Sequence, residues 1–230
     1  MRIFLSTFTA LAVLALPATA RAQDVVVLDP AAIRAAVDTT YTVSGTTHAD
    51  TTAAAVQSLR RTTRNGVDVW EMAYVHRSAS TNMVDTTFFA AGTLMPIAQF
   101  RQNERHRLAV AFDGPRVTVT RVEGDAEPVV REYRFDQPVY AGSMMDIVYR
   151  ALPLADGYRT RVPFFMPERG QVYWFDVEVV GMEEVRIRGT DTPAWRVHVT
   201  AEGVREVFWI SPDTRELLKI ESYDGSWYMR

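Results

Sequence analysis

Residues 137–154 read QPVYAGSMMDIVYRALPL, and no alternation of apolar and polar residues runs through them. Taken as a helix from Val139 to Leu152, the segment places Ser143, Asp146 and Arg150 three and four residues apart, on one narrow stripe. Tyr140, Ala141, Met144, Met145, Ile147, Val148, Tyr149, Ala151 and Leu152 cover the rest of the surface. An apolar surface that wide needs cover. Pro153 ends the helix, because a residue before proline avoids the α region.

The surrounding chain supplies the cover. Tyr173, Phe175, Val177 and Val179 alternate with Asp176 and Glu178, and Trp195, Val197, Val199 and Ala201 alternate with Arg196, His198 and Thr200. Val204, Phe208, Ile210, Leu218 and Ile220 continue the pattern. Such strands have one solvated face and one apolar face. Turn signals recur at Asn65-Gly66, Asp113-Gly114, Glu123-Gly124, Arg169-Gly170, Glu202-Gly203, Pro212-Asp213 and Asp224-Gly225. Asn-Gly suits a type I′ hairpin turn, and closely spaced turns of this kind indicate antiparallel meanders instead of βαβ units. The fold class that follows is mainly β: a curved antiparallel sheet or half-barrel with the short helix 139–152 packed on its concave side. Asp29-Pro30 should open a second short helix ending near Asp38, with Asp29 as N-cap.

The first residues, MRIFLSTFTALAVLALPATARAQD, combine Arg2, an apolar run from Ile3 to Leu16 and the small-residue pattern Ala20-Arg21-Ala22. This reads as a secretory signal peptide over residues 1–22, with a single domain over 23–230. Removing it takes away Arg2 and Arg21 and no acid, so 23 basic residues face 28 acidic ones, a net charge of −5. That charge argues against nucleic acid as a partner. No later run is long enough for a transmembrane helix. The chain contains no cysteine, which excludes disulfides, thiolate chemistry and a lipoprotein anchor. The expected location is the periplasm, as a soluble protein.

No nucleophile elbow, phosphate-binding loop or zinc-protease motif occurs, and His48, His76, His106 and His198 are scattered. No cofactor or metal is implied. The acid pairs Asp176 with Glu178 and Glu183 with Glu184 read first as solvated strand faces, and Asp146 with Arg150 as an i, i+4 ion pair, on the surface or buried against the sheet. The strongest positive signal is an apolar surplus: Tyr140, Met144, Met145, Val148, Tyr149, Phe164, Phe165, Met166 and Trp174. It fits either a filled core or a cavity for an apolar ligand such as a lipid or the acyl chain of a lipoprotein. A second reading is an envelope interaction module with an exposed patch of Trp70, Tyr74, Trp227 and Tyr228. A hydrolase is the third.

Tyr140, Ser143, Arg150 and Leu152-Pro153-Leu154, with Trp209, Ser211, Asp213 and Lys219-Ile220-Glu221 in the last hairpin, resemble a family of exported bacterial proteins known mainly as a domain of unknown function. The resemblance covers roughly residues 130–225 and departs at Tyr140-Ala141, where Tyr-Asp is the family pattern. It implies an extracytoplasmic curved sheet around a helix, distantly similar to LolA-type lipoprotein carriers, and it implies no activity.

Overall fold

The structure is a computed structural model that describes residues 26–44, 54–77, 82–222 and 227–229. The expected signal peptide, His48, the Asp224-Gly225 turn and the side chains of Trp227 and Tyr228 lie outside the described part. One sheet contains every described strand. Its first arm comprises β1 (Ala36–Ser44), β2 (Ala54–Arg64), β3 (Val67–Arg77), β4 (Asn82–Ala90), β5 (Pro96–Gln102), β6 (His106–Asp113), β7 (Arg116–Glu123) and β8 (Val129–Arg134). Its second arm comprises β9 (Tyr140–Ala141), β10 (Arg159–Met166), β11 (Gln171–Ile187), β12 (Thr190–Ala201), β13 (Val204–Ile210), β14 (Leu217–Glu221) and β15 (Trp227–Met229).

The spatial order is β8-β7-β6-β5-β4-β3-β2-β1-β15-β14-β13-β12-β11-β10-β9. Each strand therefore pairs with its sequence neighbour, except where β1 meets β15. Among the described strands, only β9 runs parallel to its partner, β10. Asn65 and Gly66 have φ of 49° and 78°, the paired left-handed geometry of a type I′ turn, and they join β2 to β3. Register shifts near Phe88, Val179 and Trp209 insert bulges. Bulges increase twist and bend strands, which helps curl a sheet.

The chain enters the concave side at the gap between the two arms. After β8 it forms β9, a 3₁₀ turn at Gly142–Met144, and then helix α1 (Met145–Ala151). The helix is shorter than the sequence suggests. Tyr140 and Ala141 are extended because their backbone pairs with Phe164 and Phe165. Leu152 is extended too (ψ 156°), as a residue before proline must be. The second expected helix is reduced to the 3₁₀ turn Pro30–Ala32, with the Asp29 carboxylate accepting from Ala31 N–H at 3.0 Å. From Ala36 the β-branched run of β1 prevails.

Every residue from Asp146 to Ala151 is buried. The helix shares one core with Leu59, Met72, Phe89, Val110, Val197 and Phe208 from both arms. A smaller cluster of Val185, Ala194, Val207, Trp209 and Leu218 forms apart from it.

Strands β8 and β9 are the free edges of the sheet. Side chains close the seam between the arms. Tyr133 and Phe135 lie 5.2 and 5.6 Å from the ring of Phe165. Arg101 on β5 pairs with Glu168 in the β10–β11 turn. Gly170 in that turn has φ +64°, and a Cβ there would overlap the Tyr133 hydroxyl. Gly170→Ala is therefore expected to destabilise the protein by about 1–3 kcal/mol, through backbone strain and the displaced tyrosine. A urea-unfolding midpoint equal to that of the parent would refute the tight seam.

Candidate functional site

A cavity of about 370 Å³ opens at the N-terminal end of α1. Three parts of the fold meet there: the turn and helix start (Gly142, Ser143, Met145, Asp146), the first arm (Gln57, Tyr74, Met83, Asp85, Arg101) and the second arm (Glu206, Phe208, Leu217, Ile220). Strand register makes the first-arm wall. Gln57 on β2 is opposite Tyr74 on β3, Tyr74 opposite Asp85 on β4, and Asp85 opposite Arg101 on β5. One polar residue per strand thus becomes a polar row on the inner face.

That row receives the helix stripe. The Ser143 and Thr87 hydroxyls are 2.8 Å apart, and the Thr87 hydroxyl donates to Asp85 Oδ1 at 3.1 Å, so Ser143 donates to Thr87. Asp85 Oδ2 also accepts from Gln99 Nε2 at 2.7 Å and Arg101 Nε at 2.6 Å. Burial lowers the Arg101 pKa, but the charges of Asp85 and Glu168 outweigh it and raise the value overall. Asp146 Oδ2 accepts from Gln57 Nε2 at 3.0 Å and lies 3.7 Å from Arg150 Nη1.

The Asp146–Arg150 pair is buried, with 9 % and 3 % of the two residues exposed. Of the two positions open from sequence, surface and interior, the structure shows the second. Desolvation raises the Asp146 pKa against the opposing effects of Arg150 and Gln57. Arg150 Nε donates to the Arg215 carbonyl at 2.6 Å, and Arg215 Nη1 returns a bond to the Leu152 carbonyl at 3.0 Å. Ala151 O accepts from Asp29 N–H at 2.8 Å. These contacts satisfy carbonyls at the helix end that have no partner within the helix.

The apolar surplus divides. Met144, Val148, Tyr149, Phe164 and Phe165 are fully buried and Tyr140 nearly so. They are packed core: the Tyr149 ring lies 5.8 Å from Phe164 and 4.9 Å from Phe208. Burial lifts the Tyr140 hydroxyl to about 12, and burial with the charges of Glu206 and Asp146 holds the Tyr149 hydroxyl well above its ordinary value. Met166 packs at the edge of the core. Trp174 lies apart from the core, with Arg161 5.2 Å from its ring. Of the nine candidates, Met145 lines the cavity. Sequence reasoning did not single out Gln57, Asp85, Arg101 or Glu206. The available signal was phase: Asp85 and Thr87 alternate in step with Phe89, which is polar placement on an apolar face.

The expected docking patch is not exposed at its first two members, since Trp70 is buried and Tyr74 is half-buried in the cavity wall. Three of the four paired strand acids are engaged, and Glu184 is exposed. Asp176 meets Arg161 at 3.4 Å, Glu178 pairs with Arg159, and Glu183 accepts from Trp209 Nε1 at 2.6 Å and Arg196 Nη1 at 3.3 Å. His76, His106 and His198 have pKa values lowered chiefly by burial. Among the described residues, no group of three or more acids and histidines is arranged to hold a metal ion. No described helix is long and apolar enough to cross a membrane.

A family model described as a protein of unknown function (DUF3108) matches residues 40–230. It reaches further toward the N-terminus than the resemblance carried by the helix and the last hairpin. No curated protein matches the chain. Among solved structures, a β-barrel-like protein of domain of unknown function DUF1849 from Brucella abortus is similar in fold, with a TM-score of 0.51 and 12% identity, covering 85% of this chain and 96% of that one.

Proposed function

We propose that this chain, which belongs to the DUF3108 family of proteins of unknown function, is an extracytoplasmic, non-enzymatic binding protein that shelters the apolar part of a small amphipathic ligand. The observation that carries this is the cavity beside α1. Its volume of about 370 Å³ lies within the range of small-molecule sites, and Met83, Met145, Phe208, Leu217 and Ile220 give it an apolar floor. Methionine adapts its shape to varied apolar partners. The polar side chains opposite are already committed to one another, which favours holding a ligand over transforming it. Asp85 accepts three hydrogen bonds and Asp146 is tied to Gln57 and Arg150, so neither resembles a poised general base. Periplasmic location rests on the N-terminal leader pattern, and release of the mature chain by osmotic shock would test it.

The binding test uses an apolar fluorescent dye, N-phenyl-1-naphthylamine. The intact protein should enhance its emission saturably. Met145→Trp, which fills the floor with a larger side chain, should weaken binding at least about tenfold while the far-ultraviolet circular dichroism stays unchanged. Met144 is the wrong residue to alter, because it is wholly buried and belongs to the core. No saturable enhancement by the intact protein, together with a lipid-free extract of protein purified from its host, would overturn the proposal.

A further inference from the structure

We infer that two copies of this chain pair through the free edge of β8, extending the sheet across a two-fold axis at Tyr133. The inference is independent of the binding reading above, because no residue of β8 lines the cavity beside α1.

The edge is open, and its geometry calls for its own copy. β9, the far end of the sheet, lies against β5 and forms no ladder with β8. Arg131, Glu132 and Arg134 are exposed, and no proline or bulge interrupts Val129–Arg134. Phe135 N–H donates to the carbonyl of Pro115, at the start of β7, at 2.9 Å. Successive residues of a strand direct their N–H and C=O groups to opposite sides. Arg131 and Tyr133 therefore bond to β7, while Glu132 and Arg134 turn their backbone groups outward. An unpaired row of this kind is a template for another strand. The other margin, β9, has two residues and both are buried, so it offers no seat for β8 of a second copy. A head-to-tail contact is closed off, and the self-complementary one remains.

Charge selects the occupant and the register. Elsewhere in the sheet, exposed arginines stand directly opposite acids on the next strand. Arg60 is opposite Glu71, Arg161 opposite Asp176 and Arg186 opposite Asp191, and each couple is an ion pair. On β8 the same arrangement is half built. Glu132 is opposite Thr118 and Arg134 is opposite Arg116, a like charge. Among the described residues, neither Glu132 nor Arg134 has an ion pair or a side-chain hydrogen bond. The run Glu132-Tyr133-Arg134 is its own complement when two copies run antiparallel. With Tyr133 on the axis, Glu132 of each copy stands opposite Arg134 of the other. These are the residues whose backbone groups face outward, so the register that matches the charges also completes the ladder. A shift by one pleat sets Glu132 against its own copy, which is repulsive.

Sedimentation equilibrium of the purified protein at low salt tests the contact. It should show a monomer–dimer equilibrium that moves toward monomer as salt is raised. Glu132→Arg alone and Arg134→Glu alone should each weaken the dimer at least about tenfold, because each sets like charges opposite one another on both sides of the axis. Both side chains are exposed, so far-ultraviolet circular dichroism should stay unchanged. The double variant Glu132→Arg/Arg134→Glu should restore the dimer. A mixture of the two single variants should associate more tightly than either variant does with itself. A monomer at every concentration would overturn the inference. A dimer indifferent to both single variants would do so too, by placing the contact elsewhere. A double variant no tighter than the singles would refute the register.

Discussion

Arg150→Ala should destabilise the folded protein by about 3–5 kcal/mol, the usual cost of removing one partner from a buried ion pair. The substitution leaves Asp146 with Gln57 as its side-chain partner, in an interior that already disfavours its charge. It also removes the donor to the Arg215 carbonyl, which ties the helix end to the loop before β14. Arg150→Met with Asp146→Asn should recover most of the loss, because neither buried charge is then stranded. The variant's pH dependence carries the same physics with a definite sign. Burial raises the folded-state pKa of Asp146 above its ordinary value of 3.8. Folding therefore favours the protonated carboxyl, so this group's contribution is whole below 3.8 and is lost as pH rises through the higher folded value. Arg150→Ala should accordingly recover stability as the pH is lowered from neutrality toward that range, and Asp146→Asn should flatten the trend. Urea unfolding across that range measures both. A cost below about 1 kcal/mol would mean that the pair is solvated.

Phe164→Ala is expected to cost about 3–5 kcal/mol as well, by leaving a cavity where the seam, the helix and the sheet meet. Its ring lies 6.0 Å from Tyr140, 5.8 Å from Tyr149 and 5.5 Å from Phe175, joining β9, α1 and β11 around one side chain. Against a total stability of about 5–15 kcal/mol, that loss is large enough to unfold part of the population at growth temperature. The exposed Val130→Ala on β8 serves as a control and should stay within about 0.5 kcal/mol of the parent. Equal midpoints for Phe164→Ala and Val130→Ala in urea would show that the aromatic cluster is not the centre of the fold.

The architecture was legible because it rests on period and punctuation. Val197 and Val199 alternate with Arg196 and His198, Asn65-Gly66 marks a hairpin, and the apolar run around Ile147 cannot be solvated; all three signals are local in sequence. The helix start was not legible. Tyr140 and Ala141 suit a helix locally, and what makes them extended is a ladder with Phe164 and Phe165. The cavity wall was hidden for a related reason. Gln57, Tyr74, Asp85 and Arg101 come from four strands, and each looks like an ordinary interruption of its own strand. Register alone lines them up. The apolar residues that stood out along the chain were mostly those with the least freedom to meet a ligand, since the largest and most clustered side chains are the ones the interior needs.

The contact of β1 with β15 has a consequence for how the molecule comes into being. Thr42 is opposite Met229 and Val43 opposite Tyr228, whereas nearly every other strand pairing links sequence neighbours. Hairpins of neighbours form within microseconds, but a partner almost a whole chain away imposes a large closure entropy and a slow step. During synthesis, two separate meanders would precede the finished protein, each with a raw strand margin where the other belongs. The strand that joins them, β15, follows every other strand of the sheet in the chain, so the vulnerable interval for misassociation lasts until β15 has been made.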